Sequence, residues 1–483
     1  MRKKLLSGIF FFLILNLLIK PFWILGIDVE VQNRVGSAEY GLYFAVFSFA
    51  YMFNILLDLG VTNFNSRNIA QYSQLLRKHL PVILNVKLLL FALFLIVTFV
   101  VGAVIGYNSR QFFLLLWVSI NQFLNSLILY LRSNFSALFL FKTDSLFSVM
   151  DKILMIIFCG AMLWGVFQKS AFRIEHFIYA QALAYAITAA TALIILVHKT
   201  KLRGLHWNLP LSITIIKKSL PFALLTLLMS FYSRLDPVML ERMLPAEIGA
   251  TQSGVYAGAF RLLDALVMLV YLVSVPLLPT YAKMIKEGQD LSQITKLVFT
   301  LVFSLSSAVA ITLSFNSDGI IALFYDHNTD EISGVFKVLI FCLIPMSGIY
   351  VFGTLLTANG NLKLLNIVAF ASLLTNFVVN LIVIPSMMSN GSAMAALATQ
   401  MVSAVAQVFM AAKIFHLRIS VRYLLQMLGF YAIIILSNMA GHALGLQWWI
   451  VVLAVGVISV AVLFVLRLAN PKELIAIFRG NDE

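Results

Sequence analysis

The feature that most constrains this chain is a series of apolar stretches, each about twenty residues long, that recurs along its whole length. Apolar windows of about 17–25 residues can cross a bilayer as helices, whereas the strands of a membrane barrel alternate in polarity over about ten residues. With 61% hydrophobic and 11% charged residues among 483, the chain holds more apolar material than a soluble fold of this length buries. The sequence therefore predicts an all-α polytopic membrane protein.

The apolar windows predict about 14 transmembrane helices, and they fall into groups. Six spans precede a polar interval at 199–218, and eight follow it. We predict an N-terminal six-helix lobe over 1–198, a cytoplasmic linker over 199–218, a C-terminal six-helix lobe over 219–415, and two additional helices with a tail over 416–483. The predicted spans are 5–27, 40–62, 80–106, 112–140, 144–168, 174–198, 219–244, 254–280, 294–317, 335–359, 362–386, 391–415, 422–442 and 447–469.

A short internal echo supports two related lobes. The tripeptide Gly41-Leu42-Tyr43 opens the second span, and Gly254-Val255-Tyr256 opens the eighth. Because six spans return the chain to its starting side, the two lobes should run in the same sense. Two parallel lobes around a central cleft are typical of transporters.

The basic residues predict the orientation of the chain. Its net charge of +14 comes from Lys and Arg scattered over short loops, with no basic domain that would suit nucleic acid. These residues are several times more frequent in loops on the side of the N-terminus than in the opposite loops. By the positive-inside rule, both termini should be cytoplasmic.

Charged residues inside the spans are the first candidates for function, because a charge at membrane depth is costly. Four of them, Lys87, Arg132, Asp151 and Lys152, lie at one predicted depth near the cytoplasmic side, and they could line a cationic chamber for a phosphate-bearing ligand. One alternative is that Lys152, Arg132 and Lys87 extend to the headgroups while Asp151 pairs with Lys152. Another is that Arg132 only supports hydrogen bonds between helices. The full set is Lys20, Asp58, Lys87, Arg132, Asp151, Lys152, Arg234, Asp236, Arg261, Asp264 and Lys337.

The spacing between neighbouring residues adds information at three sites, which together contain five of these charged residues. Arg234 and Asp236 are two residues apart and point to different sides of their helix, so each needs another partner. Arg261 and Asp264 are three apart and can meet on one face. A network across helices and a role in ligand binding or ion coupling both remain open for these four residues. Lys20 precedes Pro21, which should kink the first span.

Enzyme chemistry finds little support in the sequence. The seven histidines form no pair with metal-ligand spacing, and no phosphate-binding glycine loop or nucleophile elbow occurs. The longest predicted outer loop, 316–334, is too short to hold the site of a membrane glycosyltransferase or polymerase. We expect no cofactor and no metal. Cys159 and Cys342 both fall inside spans and are expected to pack there.

Two blocks of residues resemble the polysaccharide flippases of the Wzx type, which belong to the multidrug/oligosaccharidyl-lipid/polysaccharide (MOP) exporter superfamily. One block opens each predicted lobe. The first consists of Asn33 to Gly36, Glu39 to Tyr43, Asp58 to Gly60 and Arg67 to Ala70; the second consists of Pro221, Tyr232 to Asp236, Gly254 to Ala259, Arg261 to Asp264, and Pro276 with Pro279.

The resemblance implies a MATE-like, V-shaped pair of lobes that alternates access across a bacterial cytoplasmic (inner) membrane. Its cargo would be a polyprenyl-pyrophosphate-linked oligosaccharide, carried from the inner to the outer leaflet for a surface polysaccharide such as O-antigen. The partners would be this glycan, membrane lipids and other polysaccharide-assembly membrane proteins. The implied substrate-binding cations are Lys20, Lys87, Arg132, Lys152, Arg234 and Arg261, and the implied acids for H⁺ or Na⁺ coupling are Asp58, Asp151, Asp236 and Asp264.

Three alternatives to a glycan flippase remain. A small-molecule exporter of the same superfamily, coupled to a cation, should have a cavity dominated by acids. A membrane glycosyltransferase or polymerase should show sugar transfer in purified protein. A scaffold without transport activity is the third alternative.

Overall fold

The computed structural model describes residues 14–166, 172–200, 210, 223–274, 277–417, 420–466 and 468. These residues contain no strand. We number the helices in chain order: α1 (14–28), α2 (Val29–Met52), α3 (Val61–Gln71), α4 (Leu75–Val104), α5 (Ser109–Ala137), α6 (Phe141–Ala161), α7 (Ile174–Thr200), α8 (Ala223–Met243), α9 (Ala246–Ser274), α10 (Leu277–Lys286), α11 (Ser292–Phe315), α12 (Ser317–Phe324), α13 (Thr329–Ala358), α14 (Leu362–Phe415), α15 (Val421–Ala443) and α16 (Trp448–Val465).

The helices confirm the predicted all-α membrane fold. Eleven helical segments of the described residues are long and apolar enough to cross a membrane. One of them, α14, has 54 residues and a non-helical Met388 (φ 50°, ψ −130°), so it comprises two spans. Together with α1 and α2, this gives the fourteen spans that the apolar windows predict. Residues 5–13 of the first predicted span lie outside the described residues.

The second span differs from its predicted bounds. We predicted a helix over 40–62, but α2 covers Val29–Met52 and gives way to a 3-10 turn at Asn54–Leu57. The backbone then enters the left-handed region at Leu59 (φ 45°) and Gly60 (φ 81°), where α3 begins. Left-handed backbone suits glycine and ends a right-handed helix. The predicted span extended to residue 62 because hydropathy alone does not detect a backbone turn within an apolar stretch.

A close helix crossing joins α2 to the start of α9. A methyl group added at Gly41 would lie 1.9 Å from the carbonyl oxygen of Ala250, and one added at Gly254 would lie 1.9 Å from that of Ser37. Ser253 also donates a hydrogen bond of 3.1 Å to the carbonyl oxygen of Gly41. Glycine permits such an approach because it has no side chain. The two glycines that echo each other in the sequence therefore lie face to face.

The chain divides into two compact units, Met1–Ala257 and Gly258–Glu483. The first contains α1 to α8 and the start of α9. It has an apolar core in which Ile83, Leu131, Phe135 and Phe147 are buried. The predicted linker over 199–218 lies almost entirely outside the described residues. The predicted lobe boundaries thus stay predictions.

The second unit includes the two helices predicted beyond the C-terminal lobe. Phe430 and Ile434 of α15 and Val451 of α16 are buried with Ile311 of α11 in one apolar cluster. Burial of such large apolar side chains is the main source of packing energy within the unit. In each unit one cysteine, Cys159 or Cys342, is a buried free thiol, as expected for a packing residue.

Candidate functional site

A buried ion pair lies where the backbone turns between α2 and α3. The ammonium of Lys87, on α4, is 2.5 Å from Oδ1 of Asp58 and also donates to the carbonyl oxygen of Leu57 (3.1 Å) and to the hydroxyl of Ser126 on α5 (2.9 Å). The Asp58 carboxylate accepts further hydrogen bonds from the backbone N–H and hydroxyl of Thr62. The turn at Leu59 and Gly60 thus lets Asp58 contact a cation 29 residues away in sequence.

The geometry of this pair suits structure better than ligand binding. The Lys87 side chain has no exposed surface, whereas that of Asp58 is 24% exposed. A lysine ammonium has three N–H donors, and all three have an acceptor within the first unit. A phosphate ligand would have to displace one of them and reach a sealed group. The predicted role of Lys87 in substrate binding therefore stays a prediction without support from this geometry.

A second group of charges is formed by α1, α5 and α6. Arg132 donates from Nε to Oδ1 of Asp144 at 2.9 Å, and both side chains are close to one-fifth exposed. Lys152 is 3.2 Å from Oδ2 of Asp151 and donates to the Tyr185 hydroxyl on α7 at 3.2 Å. The pairing of Asp151 with Lys152 was one of the alternatives read from the sequence.

Lys20 of α1 belongs to the same group, because it interacts electrostatically with Lys152, Arg132 and Asp151. We call Lys20, Arg132, Asp144, Asp151 and Lys152 the cationic cluster. Three cations face two carboxylates, so the cluster carries one net positive charge. The guanidinium of Arg132 has four N–H donors besides the one bound by Asp144. This arrangement combines excess positive charge, partial exposure and spare donors, which are the requirements for binding a phosphate.

Aromatic rings shape one side of the cluster. The ammonium of Lys152 lies 5.6 Å from the ring centroid of Trp23 and 5.2 Å from that of Tyr185. Trp23 begins the π-helical end of α1, directly after Lys20, Pro21 and Phe22. A π-helical turn in an otherwise α-helical segment is often found at functional sites. The kink expected at Pro21 stays a prediction, and the change of helix type observed here begins two residues after it.

The polar residues along α5 are mostly engaged inside the first unit. Asn121 donates to the carbonyl oxygen of Ile178 at 3.2 Å, and Asn134 accepts from Asn65 at 2.9 Å. Ser126 binds Lys87, and the Ser133 hydroxyl bonds to its own helix. Hydrogen bonds of this kind hold helices together in an apolar environment. They support the alternative that α5 is polar for helix packing, except at Arg132, where the cationic cluster begins.

The charges of α8 point in different directions, as their spacing predicts. The Arg234 guanidinium lies 5.0 Å from the ring centroid of Tyr51 and 6.0 Å from that of Phe47. Asp236 is buried and accepts a hydrogen bond of 2.9 Å from the Tyr256 hydroxyl. Two of the predicted residues, Arg261 and Asp264, are half-buried on the part of α9 that belongs to the second unit.

Sequence reasoning missed several residues of these clusters. Asp144 had a usable signal, since it follows Arg132 across a short turn and is the only acid in the first turn of α6. Trp23, Thr62 and Tyr185 carry no charge and gave no signal. Among the described residues, no group of three His, Cys, Asp or Glu side chains could hold a metal ion.

The sequence profile of the polysaccharide biosynthesis protein family matches residues 5–285, which is more than half of the 483 residues. The chain belongs to this family. The match spans both blocks of residues that resemble the flippases. It includes the cationic cluster, the Lys87–Asp58 pair and α8. No curated protein sequence matches the chain significantly.

Solved structures of MOP transporters share the fold of the chain. The lipid II flippase MurJ, in an inward closed conformation, is similar with a TM-score of 0.72 and 15% identity, over 97% of this chain and 98% of that one. An inward-facing multidrug resistance MATE family transporter of the MOP superfamily gives 0.64 and 12%, over 81% and 94%. A MOP superfamily transporter from Pyrococcus furiosus gives 0.58 and 13%, over 86% and 95%. The predicted fold is confirmed.

Proposed function

We propose that the chain is a flippase that carries a polyprenyl-pyrophosphate-linked oligosaccharide from the inner to the outer leaflet of a bacterial cytoplasmic membrane. Its two halves would alternate access to the two sides, and both termini would be cytoplasmic. The proposal is for a transporter of a lipid-linked glycan in surface polysaccharide synthesis, and not for an enzyme. The family membership and the similarity to a lipid II flippase support this substrate class.

The observation that carries the proposal is the net positive charge of the cationic cluster near the predicted cytoplasmic side. A pyrophosphate carries several negative charges, and cations in a medium of low dielectric constant bind it more strongly than in water. Arg132 offers a planar set of donors, and Lys152 and Lys20 add charge beside it. We propose these three residues as the pyrophosphate-binding group, with Asp144 and Asp151 holding two of them in place.

We propose secondary roles in transport for other charged residues of the spans. Arg234, which lies over two aromatic rings, would contact the cargo later in its passage, together with Arg261. Asp236 and Asp264, with Asp58, are proposed for coupling to H⁺ or Na⁺. These roles rest on residue type and position within the spans.

The competing function is a small-molecule exporter, because a multidrug MATE transporter shares the fold. Exporters of cationic drugs need an excess of acids to attract their cargo. The cationic cluster has the opposite charge balance. A glycan flippase therefore accounts for these residues better than a cationic drug exporter does.

The test is a transport assay with purified protein in liposomes. The cargo is a fluorescently labelled polyprenyl-pyrophosphate oligosaccharide, and a reductant that does not cross the membrane quenches only the outer leaflet. The double variant R132Q/K152Q should lose at least 90% of the rate, because two cations that bind the pyrophosphate are gone. The control variant K363Q removes an exposed cation at the start of α14 and should retain the wild-type rate.

Two results would overturn the proposal. One is an unchanged rate for the R132Q/K152Q variant when the protein is folded and inserted. The other is active efflux of a cationic dye by the wild-type protein together with no movement of the labelled glycan lipid, which would favour the exporter.

A further inference from the structure

A cavity of about 110 Å³ lies in the second unit between α11, α13, α14 and α15. Its lining is divided by polarity. Ser292, Thr295, Lys296, Ser420 and Tyr423 form a largely polar end, to which the apolar Leu417 also contributes. Phe299, Phe352, Val408 and Ala412 form an apolar end. The cavity belongs to none of the sites described above, and no other residue in its lining carries a charge.

The division follows from helical spacing along α11. Residues Thr295, Lys296 and Phe299 are neighbours on one helix face, since positions three and four apart adjoin. Lys296 is near the start of the helix and Phe299 is one turn deeper. The lining therefore changes from polar to apolar within about one turn, or roughly 5 Å. An amphiphile with a charged head and an apolar chain matches this change.

The charge at the polar end is not neutralised within the described part of the chain. The Lys296 side chain is exposed, and its ammonium lies 5.7 Å from the ring centroid of Tyr423. The Tyr423 hydroxyl is fixed by a hydrogen bond of 3.2 Å from Thr300. None of the described carboxylates forms an ion pair with Lys296. An anion can thus approach the Lys296 ammonium from the side that faces away from the Tyr423 ring.

The position of the cavity indicates the source of the anion. It lies where α11 and α15 begin and α14 ends, on the predicted cytoplasmic side. Large apolar side chains of the same helices are exposed nearby: Val405 at 67%, Phe409 at 69% and Leu425 at 63%. In a membrane protein such a surface faces lipid. The cavity therefore opens at the boundary between the lipid chains and their headgroups.

We propose that this cavity binds the headgroup of an anionic phospholipid from the cytoplasmic leaflet. The lipid phosphate would be bound at Lys296 and Tyr423, and the start of one acyl chain would pack against Phe299 and Val408. A free anion would leave the apolar end without a partner, so the lining favours a lipid. The leaflet itself has a negative surface potential that basic residues near the surface recognise.

The experiment measures lipid binding, and it is independent of glycan transport. The purified protein in detergent is titrated with dioleoyl phosphatidylglycerol or dioleoyl phosphatidylcholine, and native mass spectrometry counts the bound lipids. The wild-type protein should bind one phosphatidylglycerol more tightly than phosphatidylcholine. The K296Q variant should lose about fivefold in phosphatidylglycerol affinity, which is the effect of one lysine near the membrane surface.

Two further variants separate the cavity from general surface charge. R422Q removes an exposed cation of α15 that does not line the cavity, and its affinity for phosphatidylglycerol should equal that of the wild type. A412L fills the apolar end while it retains Lys296, and it should weaken the binding of phosphatidylglycerol.

Equal affinity of the wild type for the two lipids would overturn the proposal, as would equal losses in K296Q and R422Q. Displacement of the lipid by millimolar inorganic phosphate would also overturn it, because the site would then bind free anions. Since no transport is measured, these outcomes are distinguishable from failure of the proposed flippase function.

Discussion

Lys87 and Lys152 are two lysines at the same predicted depth in the first unit, and the structure gives them different surroundings. Lys87 has no exposed surface, and its three donors are bound by a carboxylate, a carbonyl and a hydroxyl. Lys152 is 20% exposed, with one carboxylate, one hydroxyl and two aromatic rings around it. Depth in the membrane therefore does not distinguish a structural cation from one that can bind a ligand.

What separates the two lysines is whether the acceptors saturate the cation and exclude water. The Lys87–Asp58 pair joins α4 to the turn between α2 and α3, so breaking it should destabilise the unit. Lys152 belongs to a cluster with one excess positive charge, so neutralising it should impair binding first. Substitutions at the two sites should thus separate stability from transport.

The largest effect is expected from K87M. Methionine has a similar length but leaves the Asp58 carboxylate without its cation, and the Leu57 carbonyl then keeps only the longer hydrogen bond of 3.3 Å from the Ser126 hydroxyl. Removing one partner of a buried ion pair costs about 3–5 kcal/mol. Thermal unfolding of the purified protein in detergent should show this loss as a much lower melting temperature and a reduced yield of folded protein.

The double variant K87M/D58N is the control for this prediction. Replacing both members of a buried pair is often close to neutral, so most of the lost stability should return. If K87M unfolds at the wild-type temperature, the Lys87–Asp58 pair does not stabilise the fold. The proposed difference between a structural Lys87 and a ligand-binding Lys152 would then be wrong.

The second prediction concerns Lys152. K152Q should slow glycan-lipid flipping about tenfold, because a charge-assisted hydrogen bond contributes about 1.5–3 kcal/mol. Its effect on stability should be smaller than that of K87M, since the Lys152 side chain is 20% exposed whereas the Lys87 side chain is fully buried. The conservative variant K152R keeps the charge and should retain at least half of the wild-type rate in the same assay. Equal losses in K152Q and K152R would indicate a role in packing instead of charge.

The Lys87 and Lys152 sites also show which features of the fold can be predicted from the sequence and which cannot. Apolar windows predicted fourteen spans because burial of backbone polar groups in helices is the only solution that a bilayer permits for such segments. The charged positions were evident for the same reason. The contact between Lys87 and Asp58 was not predictable, because it depends on the backbone turn at Leu59 and Gly60, which changes the direction of the chain after α2.

The cationic cluster shows the same limit at the level of side chains. Spacing along the helices placed Arg132 and Lys152 at one depth, which stays a prediction, and it did not by itself indicate that Asp144 pairs with Arg132. The aromatic neighbours Trp23 and Tyr185 depend on how α1 and α7 are rotated about their axes. A single sequence does not specify that rotation.

A third prediction asks to which class Arg234 belongs. The residue as a whole is half-buried and its guanidinium lies over Tyr51, so Arg234 resembles Lys152 more than Lys87. Y51L should remove a cation–π contact of about 0.5–1 kcal/mol, and R234Q should slow transport by more than Y51L does. Flipping rates and melting temperatures of both variants test this order. A loss of stability in R234Q as large as that of K87M would place Arg234 with the structural cations.

The smallest effect is expected at an exposed ion pair between Asp318, on a helix outside the membrane-spanning segments, and Lys337 near the start of α13. Asp318 of α12 is 75% exposed and binds Lys337 at 2.9 Å, and it accepts a hydrogen bond of 2.5 Å from Ser333. The hydrogen bond from Ser333 and that from Lys337 lower the pKa of Asp318 below its usual value of 3.8. A lowered pKa means that the ionised form stabilises the folded state. This contribution is complete above pH 3.8 and disappears as the pH falls toward the lowered pKa.

Solvent screens so exposed a pair, and D318N should therefore cost less than about 1 kcal/mol at neutral pH. The difference in unfolding free energy between the wild type and D318N should shrink below pH 4, where the wild-type carboxylate takes up a proton. Unfolding by denaturant at pH 7 and at pH 3.5 measures both quantities. A cost at pH 7 equal to that of K87M would show that burial does not decide the strength of these pairs, and the distinction between Lys87 and Lys152 would lose its physical basis.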